Sequence, residues 1–442
     1  MNDTASKALI VGLGKTGLSA ARYLHARGWQ LAATDSRAEP PGVAEFRRLA
    51  PQAALAVGDF ASELLEGATL VLASPGVALR EPIFEEARRR GIEVLGDVEL
   101  FARAASAPAI GITGTNGKST VTTLLGRMAE HSGIRVKVGG NLGTPALDLL
   151  GDAATQLYVL ELSSYQLEAA PSLQLEAATV LNVTPDHMDR YADTAHYAAA
   201  KAAIYARCRT AVINDDDVWV RSMPTGQARR CRFSVSGPAD YCLTRRQGED
   251  WLTGPGGPLL AVREMRIRGR HNAANALAAL ALGEAGGLSQ AAMLQTLREF
   301  TGLPHRSVCV RERRGVAWID DSKGTNVGAT LAAVAGMDGP LLVIAGGDGK
   351  QQDFAPLAAA FRHKVKRVLL IGRDARQVAA ALHGVCELEF CASLESAVAA
   401  AAESALPGDT VLLSPACASL DMFRDYGHRG EVFAAAVRSL AA

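Results

Sequence analysis

The run Ala8-Leu9-Ile10-Val11 ends in glycine, gives way to a helical pattern over 16–27, and is followed by a strand pattern over 30–34. The same beat recurs down the chain. Short apolar runs stand at 70–73, 110–112, 157–162, 179–183, 316–319, 341–345, 368–371 and 411–413, with helical stretches among them. Short, nearly continuous apolar runs alternating with helices predict an α/β chain of parallel sheets covered on both faces. Such sheets bind ligands in the loops at the carboxyl ends of their strands. Those loops are where chemistry is expected.

With 442 residues, the chain exceeds what one hydrophobic core usually supports, about 250–300 residues, so two or three domains are expected. Breaks suggest themselves where a helical stretch ends in Ala105-Ser106-Ala107-Pro108 and at Thr301-Gly302-Leu303-Pro304. The domains expected are 1–97, 98–302 and 303–442. A glycine-rich, polar stretch over 230–260 reads as a local β excursion. Hydrophobic residues at 48% and charged residues at 21% exclude disorder and coiled coil. Lys+Arg and Asp+Glu are 46 each, so the electrostatic footprint of a nucleic-acid binder is missing and no nucleic-acid partner is expected. No apolar run approaches the roughly 20 residues that span a bilayer, so no membrane partner is expected. Met1-Asn2-Asp3-Thr4 leads into a strand pattern without a charged-then-apolar leader. The seven cysteines lack CxxC or Cys/His spacing and read as reduced, buried thiols of a cytoplasmic protein.

Two glycine loops carry nucleotide signals. Gly111-Ile112-Thr113-Gly114-Thr115-Asn116-Gly117-Lys118-Ser119-Thr120 follows a strand pattern and opens a helical run over 121–129. Glycines let backbone amides approach phosphate oxygens, the lysine spans the β- and γ-phosphates, and the Ser119 hydroxyl can ligate magnesium. The spacing departs from GxxxxGK[ST], because Ile112 stands where a glycine is usual. Gly12-Leu13-Gly14-Lys15-Thr16-Gly17 also follows a strand and opens a helix, and Asp35 closes the next strand. That is the dinucleotide fingerprint, with an acid placed to meet a ribose hydroxyl. A UDP-sugar diphosphate fits such a loop as well as NAD does. Ser74-Pro75-Gly76 is a third turn after a strand.

Acidic and basic residues gather at other strand ends. Glu161 precedes Ser163-Ser164-Tyr165-Gln166, and Asn182-Val183-Thr184-Pro185-Asp186-His187-Met188-Asp189-Arg190 follows the 179–183 run. Carboxylates and a histidine beside a phosphate loop suit magnesium, while buried pairing of Glu161, helix capping by Asp186 and Asp189, and a core role for His187 stay open. Lys201, within Ala-Ala-Ala-Lys-Ala-Ala-Ile-Tyr, reads by itself as a solvated helix lysine. Asn272 and Asn275 are either helix caps or amides for a base edge. In the last third, Pro304-His305-Arg306 offers a guanidinium to phosphate. Asp320-Asp321-Ser322-Lys323-Gly324-Thr325-Asn326, Gly346-Gly347-Asp348-Gly349-Lys350 and Ser414-Pro415-Ala416-Cys417-Ala418-Ser419 follow three strand patterns and would share one rim of a sheet.

In this order the motifs resemble the Mur ligase family of ATP-dependent amino-acid ligases, over nearly the whole chain. The resemblance is carried by 114–120, 161–167, 182–187, Arg270-His271-Asn272 with Asn275, Pro304-His305-Arg306 and 321–326. Within the family, Gly12–Gly17, Asp35-Ser36-Arg37, Gly96-Asp97-Val98-Glu99-Leu100-Phe101, 346–350 and 414–421 resemble the member that joins D-glutamate to UDP-N-acetylmuramoyl-L-alanine. Tyr165 where Phe is common, and Lys15 in the first loop, are small departures.

The resemblance implies a Rossmann-like N-terminal domain for the UDP-sugar, a central P-loop ATPase-like domain and a C-terminal Rossmann-like domain for the amino acid. It implies ATP and two Mg2+ ions, a monomer, and a cytoplasmic role in peptidoglycan precursor synthesis, hence in cell-wall biogenesis, cell shape and division. Gly14, Lys15, Thr16, Ser36, Arg37, Ser74, Pro75, Gly76 and Asn141 would hold the UDP-sugar. Gly114, Thr115, Asn116, Gly117, Lys118, Ser119, Thr120, Asn272, Asn275, Arg306 and Asp321 would hold ATP. Ser119 and Glu161 would take one magnesium, and His187 with Lys201, as its carbamate, the second. Lys323, Thr325, Lys350, Ser419, Leu420 and Tyr426 would receive D-glutamate. Lys118, His187, Lys201, Glu161 and Asn141 would carry the catalysis. A sibling ligase, another Mur enzyme or a folylpolyglutamate synthetase-like one, is the first alternative. An NAD(P)-dependent oxidoreductase or nucleotide-binding regulator is the second.

Overall fold

A computed structural model describes residues 6–267, 269–337 and 339–441; Met1–Thr4 lie outside them. The fold has three α/β domains, each on a mainly parallel sheet. The chain packs as two units. One holds the chain up to Asn182, Tyr197–Glu264 and Ala274–Arg298; the other holds Val183–His196, Met265–Ala273 and the chain from Glu299.

In the first unit, the N-terminal sheet runs in spatial order Ala54–Val57, Gln30–Asp35, Lys7–Val11, Ala68–Ala73, Glu93–Gly96, all parallel. Its central strands are buried on both faces, which is why they read as unbroken apolar runs. The helix Lys15–His25 follows the first strand and packs Leu18, Ala20, Ala21 and Leu24 inward.

The second sheet has nine strands. Cys208–Asn214, Leu175–Val180, Ala109–Thr113, Leu157–Glu161 and Val136–Gly140 lie side by side, with Arg229–Ser234 and then Tyr241–Arg246, Glu249–Gly254 and Gly257–Ala261 beyond the first of these. The last three strands pair antiparallel and form the β excursion expected from composition. Gln247 and Gly248, both at positive φ, make the two-residue turn whose twist suits a hairpin. The apolar run at 179–183 misplaces one strand. The ladder ends at Val180, and Leu181 and Asn182 continue it only by single hydrogen bonds, Leu181 N–H to Thr113 O at 2.9 Å among them.

The second unit is built on the sheet Val308–Arg313, Val316–Asp320, Thr410–Leu413, Leu341–Gly346, Val365–Ile371, Glu387–Phe390, parallel except for its first pair. Side chains alternate between two cores. Leu341, Val343 and Ala345 join Phe354, Leu357 and Phe361 on one face. Leu342 and Ile344 join Trp318, Val398 and Phe433 on the other. No described helix is long and apolar enough to cross a membrane. Of the cysteines expected to be buried, Cys231, Cys242 and Cys417 are, whereas Cys309 is exposed and the other three are half-buried. Cys309 lies on the edge strand Val308–Arg313, where only one neighbour covers it.

Candidate active site

A cavity of about 580 Å³ opens where the carboxyl end of the N-terminal sheet meets the second sheet. Gly14, Lys15, Thr16, Ser36, Arg37, Ser74, Pro75, Gly76 and Asn141 all line it, so the nine residues suggested for a UDP-sugar stand round one space. Gly12 must be glycine: at φ +96 a Cβ would lie 2.9 Å from Ser74 Cβ. Gly17 is tighter still, because a Cβ there would stand 2.0 Å from Gly12 O. The turn therefore closes directly onto the helix that follows it.

Asp35 closes its strand at the cavity wall. Its Oδ2 accepts the Leu13 N–H at 2.7 Å and an Arg37 guanidinium N–H at 2.6 Å. Its Oδ1 accepts the Arg37 N–H and Nε–H, each at 2.9 Å. Burial alone would raise its pKa, but these donors hold it below the usual carboxylate range. Asp35 is thus engaged in holding the glycine loop and aiming Arg37. It also lines the cavity, with each carboxylate oxygen already accepting two hydrogen bonds.

The second sheet and its loops add Gly140, Gly143, Pro145 and Gln166 to the cavity wall, none of them assigned a site role from sequence, although Gln166 belongs to the 161–167 motif. Asn141 connects the cavity to the end of the strand Leu157–Glu161. Its backbone N–H donates to Glu161 O at 2.8 Å, and its Nδ2 donates to Glu161 Oε1 at 2.7 Å. Glu161 is buried and stands beside Ile112 in the ladder. Its second oxygen, Oε2, is buried without a hydrogen bond. A carboxylate oxygen left so is costly in a folded chain.

Two residues beyond Ile112 the phosphate loop begins. Gly114 sits at φ +145 and Gly117 at φ +86. A side chain on Gly117 would collide with Asn275 Oδ1 at 2.5 Å. The loop is strapped to its neighbour: Thr115 N–H donates to Asn182 O, Asn116 N–H to Asn182 Oδ1, and Asn182 Nδ2 to Asn116 O, at 2.9, 2.8 and 3.0 Å. The helix Lys118–His131 then starts with no side-chain cap, so its opening amides have no intrahelical acceptor. Its dipole adds positive potential there. Lys118 Nζ stands over the loop, donating to Gly114 O at 2.8 Å and Thr115 O at 2.9 Å.

Lys201 is not the solvated lysine its surroundings in sequence suggest. It is 1% exposed, its Nζ donates to Gly114 O at 3.1 Å and lies 4.3 Å from the centre of the Tyr197 ring. The helix Thr194–Ala202 turns this side chain inward. Asn272 and Asn275 fall inside the helix Arg270–Ala285, past its first residue, so neither is the N-cap residue. Among the described residues no group of three or more His, Cys, Asp or Glu comes together to hold a metal.

In the second unit, Asp186 is no helix cap. Its Oδ1 is 3.0 Å from Lys350 Nζ and also accepts the His187 N–H, and its Oδ2 accepts from Asn326 Nδ2 at 3.2 Å. His187 stands at φ +58 and is one-third exposed, so it is no core histidine. The three polar loops after the C-terminal strands do form one rim. Ala416 N–H donates to Gly324 O, Gly346 N–H to Pro415 O, and Asp348 and Ala418 exchange a pair of backbone bonds. Lys323 Nζ lies 3.9 Å over the Tyr426 ring. Ser419 is buried and Leu420 is 72% exposed; Thr325 N–H donates to Lys323 O. Asp321 accepts from Ser307 and from Ser414 Oγ. Burial pushes its pKa up to about 6 against those donors and the nearby Arg306 charge. The same charge and, above all, burial hold the His271 pKa below its ordinary value.

Arg429 is the residue with no forewarning in the sequence. It is fully buried and donates to Ser322 Oγ and O and to Cys417 O, at 3.0, 2.8 and 3.1 Å. It pins two loops of the rim together, and burial lowers its pKa to about 10.

Residues 6–96 match the model of the Mur ligase MurD-like N-terminal domain, 112–283 the Mur ligase middle domain, and 305–417 the Mur ligase glutamate ligase domain. The UDP-N-acetylmuramoylalanine–D-glutamate ligase of Nitrosococcus oceani is 51% identical over 442 residues, covering 99% of this chain and 98% of that protein. The chain belongs to the Mur ligase family. The Pseudomonas aeruginosa ligase of the same name is 49% identical, with 98% of each chain covered. The family fold is seen in the UDP-N-acetylmuramate–alanine ligase MurC of Thermotoga maritima. That structure is 19% identical, with a TM-score of 0.63 over 98% of this chain and 99% of that one.

Proposed function

We propose that this Mur ligase joins D-glutamate to UDP-N-acetylmuramoyl-L-alanine at the expense of ATP, in peptidoglycan precursor synthesis. The relatives of that name, about half identical over nearly the whole length, support the reaction. The observation that carries the reading is the Asn141–Glu161 pair, which links the cavity wall to the strand beside the phosphate loop. A sugar-nucleotide carboxylate reaching Asn141 would come close to a γ-phosphate held over Gly114–Thr120.

The carboxylate oxygen attacks the γ-phosphorus, the bond to the β-phosphate oxygen breaks, and ADP leaves. Lys118 and the opening amides of its helix offset the charge gathered in that step. The amine of D-glutamate then attacks the acyl carbon, phosphate departs with the bonding pair, and the amine loses a proton. Lys323, Thr325, Lys350, Ser419, Leu420 and Tyr426 are the D-glutamate residues of this reading. Asn272, Asn275, Arg306 and Asp321 belong to ATP. Arg37 and the first glycine loop hold the UDP moiety.

Magnesium would offset phosphate charge and orient the transferred group. Glu161, with its unpartnered buried oxygen, and the Ser119 hydroxyl suit a hard cation that keeps several waters. A second ion would fall to His187 and to Lys201 as a carbamate. A monomer that works in the cytoplasm, with domains bounded at 1–97, 98–302 and 303–442, completes the reading. Its test is isotopic. Substrate labelled with 18O in the alanyl carboxylate transfers one label to inorganic phosphate if an acyl phosphate forms; unlabelled phosphate alongside product would overturn that step.

A further inference from the structure

The cavity wall contains one amide with both ends committed. Gln166 is buried and lines the cavity. Its Oε1 accepts the Ser163 N–H at 3.1 Å and lies 3.3 Å from Ser163 Oγ, as part of the capping box of the helix Ser164–Glu168. Its Nε2 donates to Asp97 Oδ2 at 3.2 Å. A backbone donor holds the carbonyl end and a carboxylate holds the nitrogen end, so the amide cannot flip. An amide nitrogen has two protons. Asp97 takes one and leaves the other for the cavity.

Asp97 does not line the cavity. It opens the helix Asp97–Ala104 immediately after the strand Glu93–Gly96 and is buried. Its other oxygen, Oδ1, is buried with no hydrogen bond. A merely structural position would favour an apolar residue over such a carboxylate. The approach that brings it to Gln166 is rigid. Gly96 N–H donates to Ala169 O at 3.2 Å, and a Cβ on Gly96 would stand 2.8 Å from Ala169 Cβ.

We propose that Asp97 is a positioning residue for the nucleotide-sugar site. By taking one Gln166 proton it turns the other toward the cavity, so the substrate group seated there is an acceptor oxygen of the sugar or its acetamide. The inference rests on the nucleotide-sugar reading of the cavity.

The test compares steady-state kinetics of Asp97→Ala, Asp97→Asn, Gln166→Leu and the Asp97→Ala/Gln166→Leu double variant. Asparagine keeps a carbonyl acceptor for Gln166; alanine does not. Asp97→Ala should raise KM for UDP-N-acetylmuramoyl-L-alanine about tenfold, with KM for ATP and D-glutamate within about twofold. Asp97→Asn should recover most of the loss, and the double variant should be no worse than Gln166→Leu alone. Additive losses in the double variant, or an unmoved KM in Asp97→Ala, would overturn the proposal. Should Asp97→Ala fail to fold, Gln166→Glu with and without Asp97→Asn decides. The pair Asp97→Asn/Gln166→Glu restores thermal stability but keeps the raised KM, because no N–H faces the cavity. Recovery of KM together with stability would refute it. A wild-type chain that neither binds nor turns over the nucleotide sugar removes the functional reading itself. Normal wild-type turnover with unmoved variants removes the inference alone.

Discussion

Lys118 and Lys201 both donate to the Gly114 carbonyl, the first from four residues along the chain and the second from 87. Lys118 bears on the γ-phosphate in the proposed reaction. Lys118→Ala is expected to lower kcat/KM by about 10²–10³-fold while binding of the nucleotide sugar, followed by calorimetry, stays within about twofold. Lys201 was hidden in sequence because burial comes from the fold around an ordinary helix position. Lys201→Ala should be inactive and partly rescued by short-chain carboxylates; full activity in the unrescued variant would remove the carbamate role. Glu161→Gln keeps the shape but withdraws the anionic oxygen, so the Mg2+ concentration giving half-maximal rate should rise at least severalfold in a metal titration.

Loops and short helices carry the next layer of specificity. Gly347 stands at φ +130, and a Cβ there would lie 2.3 Å from Ala418 O. Gly347→Ala should therefore destabilise the C-terminal domain by roughly 1–3 kcal/mol and raise KM for D-glutamate more than KM for ATP, because it parts two loops of the rim. Asp97 at the first turn of its helix has a pKa raised by burial from 3.8 to about 6. The folded chain then holds a proton that the unfolded chain releases first, so this group's share of stability falls as pH rises from about 4 to about 6 and stays low above. Urea titrations of Asp97→Asn should show that part of the slope missing, on the order of 3 kcal/mol across the window. A slope equal to wild type would contradict the raised pKa. Most strands could be read from sequence because both faces are buried, as for Leu341–Gly346. Leu175–Val180 was misplaced because its apolar run continues past the ladder into the loop that straps Thr115 and Asn116. Gln166 had a readable signal, glutamine three residues after Ser163, but a capping box announces a helix start and not a cavity wall. Arg429 had none: a buried guanidinium serving carbonyls looks like any other arginine in a helix.

At the scale of the chain, three sheets and their glycine loops were foreseeable, since alternating apolar runs specify parallel sheets and sheets put their loops at one edge. Grouping was less so. The loop after Asn182 and the turn before Ala274 pack with the C-terminal unit, and Asp186 meets Lys350 there across a long stretch of sequence. Local pattern carries no information on such long-range pairing. The proposed reaction consumes three substrates, so its most direct test uses the whole chain and the complete mixture. Phosphate release is measured with ATP, Mg2+ and UDP-N-acetylmuramoyl-L-alanine, adding D-glutamate, L-glutamate or L-lysine in separate reactions. Release is expected with D-glutamate alone. Release with L-lysine or L-glutamate instead, or no release beside clear NADH binding, would contradict it.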